Sequence, residues 1–399
     1  MRKADIDAVG ELAGDAVGAG GALIASLHQG IAGRPFGILG PAAAPVRLIH
    51  DGVSHAVYRG VGAGLRALAT GGARLAALHA DEAPALESHP YASYGVSALN
   101  AVWGDRLAER RNGLALGMDV RRHGAAVPLT PDGLAGAFPD ATPRVVVFVH
   151  GLGETGAAWG WRGARTYGER LRDELGFTPV TLRYNTGLHV SANGRELARL
   201  LDALHAGWPC EVEELVLVGH SMGGLVARSA CHYGGRWTDA VRHVFCLGTP
   251  HLGADLEKGA NVLGWALAKL PETRPLATVL NARSAGIKDL RYGACVDEDW
   301  ADCDPDEFLR DRCREVPFLP GANYYFVGAA LDGPLGRVVG DLLVRLPSAS
   351  GRGTGRGRRI AFEVDCGREL PGLNHFDLLN HPAVYEQIRT WVTRTPARR

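Results

Sequence analysis

Neither sign of charge dominates this 399-residue chain: Lys plus Arg and Asp plus Glu are equal at 43 each, and no long run of like charge breaks the sequence. The basic footprint that holds nucleic-acid phosphates is missing, so no nucleic-acid partner is expected. The first residues, MRKADIDAVGELAGD, alternate acids with apolar residues and lack a basic segment leading into an apolar core and a small-residue cleavage site. A secretory signal is therefore not expected, and a cytoplasmic location is. Cysteines are few and odd in number (210, 231, 246, 295, 303, 313 and 366) and no C-x-x-C pair occurs among them, which makes reduced thiols the expected state and argues against a zinc site at the 295, 303, 313 cluster. Residues 16–33 carry no formal charge, yet five glycines with Ser, His and Gln make them a poor hydrocarbon span.

What is present falls into two parts. Residues 1–110 are rich in Ala, Gly and Leu and read as a helical extension. Over 46–78 Val46, Ile49, Val53, Val57, Val61, Leu65 and Leu68 recur three or four apart with arginines between them, which predicts an amphipathic helix; another is expected over 92–110. Packing on a neighbouring element is the simple role for these helices, and peripheral contact with a membrane surface through their basic amphipathic face is the alternative. Residues 111–399 read as the catalytic domain. LALGMDVRRHGAAVPL predicts a hairpin turning at His123-Gly124. Apolar strands at 145–151, 178–184, 214–221, 242–250, 324–330 and 359–365 then alternate with helical segments, as in a mostly parallel sheet covered on both faces. Residues 252–322 carry helical patterns of their own and are expected to form a lid or cap insertion.

The chemistry gathers at Gly219-His220-Ser221-Met222-Gly223, a G-x-S-x-G between an apolar run and a helical run. That context predicts a nucleophile elbow: the turn is strained and tight, and side chains in place of its glycines would collide with the flanking strand and helix. A serine hydroxyl needs a base to remove its proton and an acid to hold that base in one tautomer, so two more residues must follow in the chain. His375, in a loop beyond the last expected strand, fits the base; His381 is the other possibility, although Asn380-His381-Pro382 resembles a helix start capped by Asn380. Asp341 and Asp332 both follow the strand over 324–330, and loop position favours Asp341, while Asp332 before Gly suits a turn. By position the N–H groups of Leu152, in the turn His150-Gly151-Leu152-Gly153, and of Met222 would form the oxyanion hole. Trp159 and Trp161 could line an acyl pocket or pack under the loop, and His251 reads as a structural or pocket-wall residue.

With HGLG (150–153), GHSMGG (219–224), LGTPHLG (247–253), GDLLV (340–344) and LNHFDLLNHPAVYEQI (373–388), the chain resembles the bacterial lipases and the related GPI inositol-deacylase-like hydrolases over about residues 112–399. The resemblance implies an α/β-hydrolase fold. It also implies a carboxylic-ester hydrolase with nucleophile Ser221, acid Asp341, base His375 and oxyanion donors Leu152 and Met222, acting without a cofactor or metal on a small-molecule or lipid ester. An acyltransferase using the same triad, or a non-catalytic membrane-associated protein on this scaffold, are the alternative readings.

Overall fold

The computed structural model describes residues 2–39, 90–163, 165–270, 273–332, 341–353 and 358–394, with further positions scattered between 44 and 73. Most of the amphipathic helix expected over 46–78 lies outside the described residues. The strands are β1 (Asp119–Arg122), β2 (Ala125–Val127), β3 (Arg144–Val149), β4 (Thr178–Arg183), β5 (Glu214–His220), β6 (Val241–Leu247), β7 (Asn323–Ala330) and β8 (Gly367–Pro371). They join in one sheet of order β2-β1-β4-β3-β5-β6-β7-β8, parallel from β4 to β8 and antiparallel at the β1–β2 and β1–β4 pairs. The expected hairpin is there: His123 and Gly124 take φ values of 50° and 82°, the positive angles a two-residue turn needs to match the strand twist.

Alternation along β3 explains why both faces are covered. Val145, Val147 and Val149 enter a core with Leu197, Leu201, Leu225 and Val226 from the helices Val190–Gly207 and Met222–Tyr233. Val146 and Phe148 enter a second core with Tyr167 and Leu171 of Tyr167–Leu175 and with Tyr385, Ile388 and Trp391 of Pro382–Thr393. Trp391 is buried, stacks on Tyr325 at 4.7 Å between ring centroids, and donates from its indole N–H to the Asp365 carbonyl at 3.0 Å. Trp391→Ala should cost roughly 3–5 kcal/mol of unfolding free energy, read from a denaturant midpoint.

Two expectations are corrected. The last strand is residues 367–371 rather than 359–365: Ile360 instead packs against Gly351, its N–H bonded to the Gly351 carbonyl at 2.9 Å, and Phe362 packs against Phe318 and Phe326. The apolar pattern of that segment serves side-chain packing, and the edge strand begins at Gly367, opposite Phe326, where a Cβ would fall 2.1 Å from the Phe326 ring. The final helix is capped by His381 itself and not Asn380: its Nδ1 accepts from the Ala383 N–H at 3.2 Å.

The chain divides into two compact units. One comprises residues 1–93, 106–115 and 259–283, the other 94–105, 116–258 and 284–399, so the division does not follow a single cut near residue 110. In the first, the helix Lys3–Leu39 packs with Arg274–Asn281, and Asp15 pairs with Arg66 and Arg110. Its segment Lys3–Ser26 is long and apolar enough, by length and composition, to cross a membrane. The sheet and every residue of the candidate site belong to the second unit.

Candidate active site

The chain leaves β3 for one sheet edge and returns through β5 toward the other, so the loops after these two strands open at the carboxyl ends where the strand order reverses. Ser221 stands at the end of β5 with φ 52° and ψ −122°, and its N–H donates to the Leu247 carbonyl at 2.8 Å. Such a backbone is strained for a non-glycine residue and persists only because its surroundings hold it. The flanking glycines are sterically required: a Cβ on Gly219 would lie 2.5 Å from the Gly224 nitrogen, and one on Gly223 2.1 Å from the Val149 oxygen. Ser221 is half-buried, and among the described residues its hydroxyl makes no hydrogen bond.

Leu247, which accepts from Ser221, is followed by Gly248 at φ 59°, where a Cβ would sit 3.0 Å from the His375 ring. The missing side chain leaves room for that imidazole beside the elbow; the rings of His375 and of His220, the residue before the serine, are 4.7 Å apart between centroids. His375 is buried, and its Nδ1 lies 2.7 Å from Oδ2 of Asp341. The other Asp341 oxygen accepts from the N–H groups of Leu343 at 3.0 Å and Val344 at 2.7 Å, and the Asp341 carbonyl accepts from the His375 N–H at 3.0 Å. Each acceptor of this buried carboxylate thus has a donor, which fixes its orientation toward the imidazole. Asp332 lies near Gly372 instead, and no bond joins it to His375.

Accounting for backbone donors isolates the two predicted for the oxyanion. In the turn after β3 the Gly151 N–H goes to Glu154 at 2.7 Å and the Gly153 N–H to the Thr186 hydroxyl at 3.2 Å. Among the described residues the N–H groups of Leu152 and Met222 donate to nothing in the protein; Met222 opens its helix and has no intrahelical acceptor. A Cβ on Gly151 would be 3.0 Å from that of Ser221, so turn and elbow are in contact.

The two tryptophans divide. Trp159 is buried against Phe148 and Tyr167, a core residue, whereas Trp161 is 40% exposed and packs at 5.8 Å on Phe376, itself 42% exposed and next to His375. His251 is fully buried with its Nδ1 3.1 Å from Arg228, and burial beside two arginines pushes its pKa well below 6.5. His381, as a helix cap, is engaged elsewhere. The sequence pattern does not single out Glu154 or the elbow's own His220; the signals were an acid directly after the Gly-rich turn and a histidine inside the pentapeptide.

A mostly parallel sheet with helices on both faces, a serine on a strand-to-helix elbow and a histidine–aspartate pair beside it define a chain of the α/β-hydrolase fold. Its residues 140–265 match the family model of the PGAP1-like alpha/beta domain. No curated protein matches the chain. Similar solved structures include the Bacillus licheniformis lipase BlEst2 in mature form (19% identity, 63% of this chain and 92% of that one, TM-score 0.42). Others are an alpha/beta hydrolase fold protein from Chitinophaga pinensis (12%, 64% and 91%, 0.39) and EstA from Clostridium botulinum (13%, 63% and 88%, 0.35).

Proposed function

We propose that this chain is a serine carboxylic-ester hydrolase that works through an acyl-serine intermediate on lipid-like esters. The observation that carries the reading is the buried Asp341–His375 bond of 2.7 Å beside an elbow serine, with two N–H groups at the same place that have no acceptor among the described residues. With Nδ1–H donated to Asp341, the His375 Nε2 lone pair is the proton acceptor. As Nε2 takes the Ser221 proton, Oγ attacks the ester carbonyl carbon, and the developing oxyanion accepts from the Leu152 and Met222 N–H groups. Collapse breaks the bond to the alkoxide, which leaves with the proton from His375. Water, deprotonated by the same imidazole, then releases the acid and restores the serine.

The exposed apolar pair Trp161–Phe376, next to the base, supports an apolar acyl group over a polar one. A cytoplasmic location with membrane contact through the amino-terminal helices completes the reading; the apolar stretch Lys3–Ser26 supports the membrane contact alone. Purified protein should hydrolyse p-nitrophenyl esters, longer acyl chains better than acetate, and a fluorophosphonate should label Ser221. No turnover on any chain length, together with no labelling, rules the reading out.

A further inference from the structure

His220 is fully buried, and both of its ring nitrogens face acceptors. Nδ1 lies 2.9 Å from Oε1 and 3.1 Å from Oε2 of Glu154, and Nε2 lies 3.1 Å from the backbone carbonyl oxygen of His375. A neutral imidazole has one N–H and would leave a lone pair pointing at the carboxylate or at the carbonyl; only the doubly protonated ring donates to both. Glu154 uses Oε2 a second time, accepting from the Gly151 N–H at 2.7 Å, so one carboxylate ties the turn after β3 to the elbow.

We propose that Glu154 and His220 form a buried carboxylate–imidazolium pair that positions the catalytic parts: Glu154 holds the oxyanion turn through Gly151, and His220 holds the base loop through the His375 carbonyl. The proposal rests on the hydrolase reading above. Both are positioning residues, since neither need touch the substrate. Without the pair, the turn bearing the Leu152 N–H and the loop bearing the base would each be free to shift relative to Ser221, and misplacement of reacting groups lowers rate far more than it lowers binding.

The surrounding charges agree with that state. The groups facing His220 are Glu154, His150, His375 and Asp341, with the Trp159 ring edge-on at 6.4 Å. Burial works against a charge on His220, but the Glu154 charge and bond, the His375 carbonyl and the Asp341 charge outweigh it and move the pKa above 6.5. Burial likewise disfavours the Glu154 anion, yet His220 and the Gly151 N–H bring its pKa below 4.5. Burial pushes the pKa of the neighbouring His150 imidazole below 6.5 and so disfavours a second positive charge there. Because its pKa is raised, the imidazolium form is favoured relative to that of a free imidazole and is lost as pH rises through the raised value.

The test compares the full chain with Glu154→Gln, following kcat/KM for a p-nitrophenyl ester and the fluorophosphonate labelling rate from pH 5 to 9.5. The variant should lose tenfold or more in kcat with a smaller change in KM, and its alkaline limb should move to lower pH by a unit or more. A variant whose residual activity traces the wild-type pH profile, scaled down only, overturns the proposal, because a merely structural glutamate would lower the amount of folded enzyme without moving a limb. In case the variant does not fold, nitrogen-15 NMR of histidine-labelled, unmodified protein reads the pair directly. A ring with both nitrogens protonated should persist at pH 7.5; its absence overturns the proposal. The ring signal needs no turnover, so a chain that keeps it yet hydrolyses no ester fails the hydrolase reading and not the pair.

Discussion

Ser221→Ala should lower kcat for a p-nitrophenyl ester by roughly 10⁶-fold, the scale of removing the nucleophile from a working triad, and leave the unfolding transition where it was. The two halves of that result have separate causes. In the proposed mechanism the hydroxyl is the group that attacks the ester carbonyl, and alanine has none. Among the described residues that hydroxyl makes no hydrogen bond, and alanine keeps the Cβ and accepts the strained φ of 52° no worse than serine does. A loss of activity accompanied by a comparable loss of stability would mean that the residue serves the fold. Fluorophosphonate labelling provides the independent readout and should vanish in the variant.

The second large effect belongs to the acid. Asp341→Asn should reduce kcat by roughly 10⁴-fold, as expected when the orienting carboxylate becomes an amide, while Asp332→Asn should stay close to wild type. The amide has one acceptor oxygen. If that oxygen keeps the Leu343 and Val344 N–H groups, the amide NH₂ turns toward His375 Nδ1 and forces the tautomer whose proton is on Nε2, where it blocks acceptance from Ser221. If the amide flips, two buried backbone donors face an NH₂ group, and the turn that presents residue 341 loses its support. Asp332 makes no hydrogen bond or ion pair with the imidazole, so the contrast between the two variants, measured on the same ester, decides between the two carboxylates the sequence leaves open.

Much of this molecule is legible in one dimension. The alternation of apolar strands with helices, the hairpin turning at His123-Gly124 and the strand-to-helix elbow at Ser221 are local features, and apart from the last strand each appears where the sequence places it. A local pattern is ambiguous where it has two uses. Ile360 and Phe362 look like strand residues, yet they fill space beside Gly351 and Phe318. Trp159 and Trp161 are two residues apart and indistinguishable by composition, and the fold buries one and exposes the other. The grouping of residues 259–283 with the amino-terminal helices is likewise invisible along the chain, because it depends on contacts between distant segments.

By itself the sequence determined the backbone choices, since the steric demands of a β-strand, a helix or a glycine elbow act within a few residues. The tertiary structure alone decided which polar groups meet: Asp341 and His375 are 34 residues apart, Glu154 and His220 are 66, and His220 and the His375 carbonyl are 155. A charge buried away from water is tolerated only with its partner in bonding distance, and that distance is set by the packing of the sheet and not by spacing along the chain.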